Sequence, residues 1–384
     1  MKFGTVLISH WDGDREPSSI YQTMLDNVLL AEKLGYYSIY TTEHHFANDP
    51  EYLPFDWDQA RFKAYDLAPD PITLFSYFAA RTSKIRFGTG VMLVNYDNPI
   101  RFAERAAMLD VLSGGRLELG LGRGGGQPHS SIFGCPNNDQ EGQEYYRESL
   151  QIILKAWSGE RFEFHGKHFD FGPIQLVPPP VQRPYLNSNA TGIPLFTSTG
   201  NHENLIEAAA QSISHITVTG AWGEGGIERY NERQATYEEA CRANGIDPAK
   251  HLYPGQLFQF VAPSDAEAED VAEEYISRYI AHVEAHYQRQ RSGGGTFGTV
   301  LAAGQGVDKV RELARLSIDN NLVGSPKTVA EKLAAFMEKV PTINYLSGIV
   351  NAGSPPLPFI QRSLELFAHE VMPHFADTRE PVRT

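Results

Sequence analysis

The chain has 384 residues, 41% hydrophobic and 21% charged, enough to bury a large core in one large domain or two ordinary ones and unlike a disordered segment. Its formal net charge is −14 with no Lys/Arg block, which argues against nucleic acid or an anionic membrane as partner. The two cysteines, Cys135 and Cys241, lie far apart and form no ligand-type spacing, so a reduced, cytoplasmic protein without structural zinc is expected.

Phe3 to Ile8 reads as a first strand, too short for a signal peptide, and no run approaches the ~18 apolar residues of a membrane span. Pro17-Ser18-Ser19 opens a helix whose Ile20, Met24 and Val28 recur at i+4, and Gly35 closes it. Tyr37 to Tyr40 then reads as a buried strand that delivers Glu43-His44-His45-Phe46 at its end. From about Ala47 to Pro69 comes an irregular stretch rich in Asp, Pro and aromatic residues, whose composition favours an ordered cover over a floppy linker.

The alternation then resumes. A helix from Pro71 to about Thr82 leads to a strand from Ile85 to Leu93, and a helix from Pro99 to a strand from Arg116 to Leu121. Gly122-Arg123-Gly124-Gly125-Gly126 follows, then a helix from Gln140 to Trp157. Arg161 to Phe171 alternates around a His-Gly turn and reads as a β-hairpin. Further strands are expected near Pro194 to Thr197, Ile216 to Val218, Gln256 to Val261 and Tyr345 to Val350. Helices separate them, among them Ala266 to Arg289, Val307 to Asn320, Pro326 to Lys339 and, last, Leu357 to His374.

Eight strand–helix units with short apolar strands predict a parallel sheet, and in a chain somewhat above ~250 residues a (β/α)8 TIM barrel with insertions. The insertions are the hairpin near 160–171 and long loops near 47–70 and 290–306. Residues 1–376 are expected to form this single domain, with 377–384 a tail. A doubly wound sheet is the competitor, weakened because no GxGxxG follows the first strand.

In such a barrel the chemistry gathers on the loops after the strands. His10 and Trp11 follow the first strand, Glu43 and His44 the second, Arg123 and Gly124 the fourth, and Ser198-Thr199-Gly200 the fifth. Glycines let backbone N–H groups approach an oxyanion and arginine adds a forked donor, so Arg123 with its glycines and Ser198-Thr199 before a helix start suit a phosphorylated cofactor. The competing readings are a flexible turn and an ordinary N-cap. Metal is disfavoured, because adjacent histidines on an extended strand point to opposite sides. One histidine of the pair facing a cofactor, its ring fixed by Glu43, fits better. Gly293-Gly294-Gly295 begins a stretch that reads equally as a lid or a surface linker.

Several strings resemble the bacterial luciferase-like flavin monooxygenases. They are Glu43-His44-His45-Phe46, Gly88-Thr89-Gly90, Pro99-Ile100-Arg101, Leu109-Asp110 before Ser113-Gly114-Gly115-Arg116, Gly122-Arg123-Gly124, Gly324 to Glu331 and Val371-Met372-Pro373. The resemblance runs in order over essentially the whole chain and implies a (β/α)8 barrel that takes reduced FMN from a separate NAD(P)H:flavin reductase. It implies oxygenation of a small organic substrate with O2 through a flavin peroxide, and a homodimer formed through the second and third helices. His44, with Glu43, would be catalytic, and Arg123, helped by Ser198, Thr199 and Gly200, would hold the phosphate. Gly90-Val91 would be the family's non-proline cis peptide under the flavin ring. Two alternatives remain: a deazaflavin-dependent hydride-transfer oxidoreductase of the same superfamily, and a non-enzymatic flavin-binding barrel. There are departures. Gly122 stands where luciferase has a reactive cysteine, which speaks against light emission; Ser198 stands where it has an acidic residue; and the 47–69 insertion is longer.

Overall fold

The computed structural model describes residues 1–8, 16–45, 68–124, 129–136, 138–182, 192–199, 201–216, 225–289 and 306–375. Strands β1 (Lys2–Val6), β2 (Ser38–Thr41), β3 (Arg86–Leu93) and β4 (Leu117–Gly122) alternate with helices α1 (Pro17–Lys33), α2 (Pro71–Ala79) and α3 (Pro99–Leu112). The caps explain where these helices start. Asp70 accepts the N–H groups of Ile72 and Thr73, Asn98 those of Ile100 and Arg101, and proline occupies the first turn of all three, where its missing donor costs nothing. Gly35, at φ +83°, ends the first unit, in the left-handed region that favours glycine.

After β4 come α4 (His129–Phe133), α5 (Asp139–Trp157) and an antiparallel hairpin of β5 (Phe162–His165) and β6 (Asp170–Ile174). Strands β7 (Leu195–Thr197) and β8 (Ser214–His215) follow with α6 (His202–Ala210) between them, then α7 (Gly226–Ala243) and β9 (Pro254–Val261). The chain continues through α8 (Asp265–Arg289), α9 (Gly306–Asp319), β10 (Leu322–Gly324), α10 (Pro326–Lys339), β11 (Tyr345–Ile349) and α11 (Leu357–Leu366). The expected last helix breaks at Leu366 into tighter and wider turns reaching His374.

One parallel sheet holds nine strands in the order β10-β9-β11-β1-β2-β3-β4-β7-β8. That is one more than the eight expected. The addition is β10, a three-residue strand between two helices that pairs in parallel with β9. Three residues are too few for an alternation pattern to mark them. The sixth expected strand lies earlier than predicted, at Ser214–His215. Among the described residues the pairing ends at β8 on one side and β10 on the other.

Contacts across the sheet show that it curls. β4 and β11 stand four places apart in the order, yet the Tyr345 hydroxyl donates to Glu118 Oε2 at 3.1 Å. The same carboxylate accepts the Tyr40 hydroxyl at 3.2 Å and Arg86 Nε at 2.5 Å, and Tyr345 also meets the Ser38 hydroxyl. A fully buried Glu118 is thus paired and hydrogen-bonded, the condition for tolerating a charge inside a fold. This cluster lies inside the curl of the sheet, where it joins β2, β3, β4 and β11. Above it Tyr40 fills space kept open by Gly88, where a Cβ would lie 2.4 Å from the tyrosine ring.

The string Ser113-Gly114-Gly115-Arg116 builds the entry to β4, at the opposite end of the strand from Arg123. Arg116 donates to the carbonyls of Ala79, Thr82, Ile85 and Ser113 and to the Thr82 hydroxyl. Buried Asp110 accepts the Val181 N–H at 2.9 Å, and Gly114 and Gly115 take positive φ. This motif of the resemblance is an architectural clamp.

Candidate active site

The upper ends of β2, β3, β4 and β7 meet in register. Thr41 pairs with Thr89, and Leu121 with Thr197, so Glu43, Arg123 and Ser198-Thr199 all emerge just beyond paired backbone. The backbone contact of β2 with β3 continues past the strand, because the Glu43 N–H donates to Val91 O at 3.3 Å. Strand β2 ends at Thr41; alternation continued from Tyr40 would put His44 on the Tyr40 side and Glu43 and His45 on the other.

The expectation that Glu43 fixes the ring of His44 is not met, since both of its oxygens are engaged elsewhere. Its Oε1 meets His45 Nε2 at 2.8 Å, and its Oε2 accepts the Leu93 N–H at 2.7 Å. Residues two apart on an extended strand share a face, so a carboxylate at 43 reaches 45 and not 44. Burial pushes the Glu43 carboxyl above its ordinary value, against the opposing pull of His45 and the Leu93 N–H. The His45 carbonyl accepts His129 Nε2 at 2.8 Å, and its ring packs edge-on against Phe133 and Tyr96. A cavity of about 310 Å³ opens beside this group, lined by Glu43, His45, Tyr96 and the charged Asp70, Arg101 and Arg105. Arg105 in it is held by Asp70 and Asp97. His129 and Tyr96 join the site unannounced by the sequence, since nothing in their local pattern ties them to His45.

The Gly90–Val91 peptide bond is cis, and the pairing of β3 with β4 slips between Thr89 and Met92. Gly90 has little room on its lumen side, where a Cβ would lie 2.7 Å from Gln256 Nε2 of β9. A Cβ on Gly122 would lie 2.6 Å from the Val91 Cγ2 methyl. Glycine at 122 is thus matched to the valine beside it.

Arg123 donates to Asp139 at its carbonyl and at Oδ1, both at 2.9 Å. The guanidinium is 30% exposed and the Asp139 carboxylate 97% exposed, so the pair is a surface bridge of small net worth. Gly124 takes φ +71° against the Tyr96 ring. At the end of β7 the N-cap of α6 is Asn201, which accepts the N–H groups of Glu203 and Asn204. Ser198 and Thr199 precede that cap, and Thr199 Oγ1 accepts the Asn201 N–H at 3.2 Å. His10, Trp11, Phe46, Gly200, Gly293, Gly294 and Gly295, and nearly all of the expected loops at 47–70 and 290–306, lie outside the described residues. Among the described residues no three His, Cys, Asp or Glu side chains gather to hold a metal ion, and no helix is long and apolar enough to cross a membrane.

The uncharacterized protein y4wF of Sinorhizobium fredii is 32% identical over 175 residues, covering 45% of this chain and 46% of that protein. The chain thus spans about half the length of that relative. The oxygenase component of the flavin-dependent trigonelline monooxygenase of Acinetobacter baylyi is 24% identical over 363 residues, 94% of this chain and 91% of that protein. An F420-dependent hydroxymycolic acid dehydrogenase of Mycobacterium tuberculosis is 30% identical over 193 residues, 49% of this chain and 48% of that protein. The crystal structure of monooxygenase RslO1 from Streptomyces bottropensis shares the fold with a TM-score of 0.77 at 22% identity, covering 98% of this chain and 100% of that one. The family model for luciferase-like monooxygenases matches residues 1–342, and the chain belongs to that family.

Proposed function

We propose that this protein is the oxygenase component of a two-component flavin-dependent monooxygenase, taking reduced FMN from a separate reductase and oxygenating a small organic substrate with O2. One observation supports it above others: His44, the cis Gly90–Val91 bond, Arg123 and Ser198-Thr199 all stand at the upper ends of adjoining strands. The residues fit a flavin phosphate, since Arg123 is held only by a weak, exposed partner and hydroxyl donors follow β7. Bound FMN would supply electrons and the activation of oxygen. The chain's own part is to hold the phosphate with Arg123, Ser198 and Thr199, to keep the lumen narrow with Tyr40 and Val91, and to hold or pass one proton at the imidazole of His44.

The exposed apolar residues support a homodimer through α2 and α3: Met108 is 59% exposed and Leu112 64%, with Tyr77 and Val111 beside them. The F420-dependent relative favours a second reading, hydride transfer with a deazaflavin, for which the same lumen would serve.

The test is a reductase-coupled assay of wild type and His44→Ala, with titrations of FMN and of a deazaflavin. Wild type should bind FMN and add one oxygen atom to a product scored by mass. His44→Ala should keep FMN binding, while product falls roughly 100-fold and hydrogen peroxide is released instead. Unchanged coupled turnover in that variant would sink the assignment of His44. Deazaflavin reduction with no oxygen in any product would select the second reading.

A further inference from the structure

Both oxygens of Glu43 are engaged beside the cavity that Asp70, Arg101 and Arg105 also line. Oε2 accepts the Leu93 N–H and Oε1 meets His45 Nε2, while the residue's own N–H donates to Val91 O. His45 passes the connection on through its carbonyl to His129 of α4. One buried carboxylate therefore ties the exit of β2 to residues downstream of the Gly90–Val91 cis bond, where the β3–β4 pairing slips. Pairing of β2 with β3 ends at Thr41–Thr89, and beyond it Glu43 supplies the acceptor for the Leu93 N–H.

We infer that Glu43 is a positioning residue, a strut that fixes the exits of β2 and β3 relative to each other and thereby aims His44 into the lumen. This role rests on His44 being the group that handles the proton. A carboxylate held by a backbone N–H on one oxygen and by an imidazole on the other is not free to turn into the lumen as an acid or base. Its burial makes the loss of either donor costly, which keeps it in place.

The experiment compares wild type, Glu43→Ala and Glu43→Gln by three readouts: amide exchange at Leu93, titration with oxidised FMN, and the pH profile of kcat for oxygenated product. In Glu43→Ala, Leu93 exchange should speed up roughly tenfold or more and FMN affinity should fall roughly tenfold, as for one lost charged hydrogen bond. The kcat should fall roughly 100-fold, the scale of a displacement near 1 Å. Glutamine can still accept the Leu93 N–H and donate to His45 Nε2, so Glu43→Gln should recover most of each loss with the shape of the pH profile unchanged.

A Glu43→Gln protein as inactive as the alanine variant, with one limb of the pH profile gone, overturns the inference in favour of direct acid–base work. So does a Glu43→Ala protein with normal Leu93 protection and normal kcat. Should the alanine variant not fold, Glu43→Gln read against wild type decides by the same limb. Leu93 exchange needs neither flavin nor turnover. If wild type binds no FMN and forms no oxygenated product, the monooxygenase reading fails on its own and the exchange result still judges the strut.

Discussion

Gly122→Ala tests how tightly the wall around the cis bond is built. The added Cβ would lie 2.6 Å from the Val91 Cγ2 methyl, and the next neighbours, Met92 O and Val91 Cβ, stand at 3.7 Å. One methyl is therefore the whole conflict. Overpacking a filled site costs about 1–3 kcal/mol, and turning Val91 off its rotamer about 0.5–1.5 kcal/mol. Alanine gives back about 0.4–1 kcal/mol by stiffening the unfolded chain. The net expectation is a destabilisation of about 1 kcal/mol. Val91→Ala alone removes two partly buried methyls and should cost about 1–2 kcal/mol. In the double variant the alanine at 122 occupies the vacated space, so the pair should be less destabilised than the sum of the singles by about 1–2 kcal/mol. Urea denaturation of all four proteins measures this coupling. Additivity within about 0.5 kcal/mol would refute the packing argument.

Two further outcomes follow from buried polar groups. Burial holds the His215 ring neutral down to about 4, and that of His251 likewise, against an ordinary 6.5. The unfolded chain takes up protons below 6.5 that the folded one refuses. Stability is thus full above pH 6.5 and falls as pH drops toward about 4, by roughly 3 kcal/mol at most for His215. His215→Phe, which keeps a ring against Tyr230, should flatten that slope in denaturation at pH 7 and pH 5; an unchanged slope would count against it. Arg116→Lys should destabilise by roughly 2–3 kcal/mol, because lysine cannot serve the four carbonyls and one hydroxyl that the guanidinium now reaches. A thermal midpoint equal to wild type would show the clamp to be dispensable.

Much of this protein is determined by local sequence. Proline in the first turn and Asp70, Asn98 and Ser325 at the caps set helix starts that can be read residue by residue. Apolar runs of strand length mark most of the strands, and the polar residues that follow them mark the rim. Such signals are legible because capping, turn conformation and alternation act over a few residues. What spans the chain was decided only by tertiary structure. Strand β10 takes its hydrogen bonds from β9, some sixty residues away, and carries no pattern of its own. Glu118 is acceptable in the core because Arg86, Tyr40 and Tyr345 converge on it from three other strands. Within Glu43-His44-His45 the sequence names the residues, and alternation predicts that the two histidines point to opposite sides. The partner of Glu43 was settled by where β3, running on past its pairing with β2, presents the Leu93 N–H and where His129 meets the His45 carbonyl. A carboxylate's role follows from its donors, and those donors come from elements that only folding brings together.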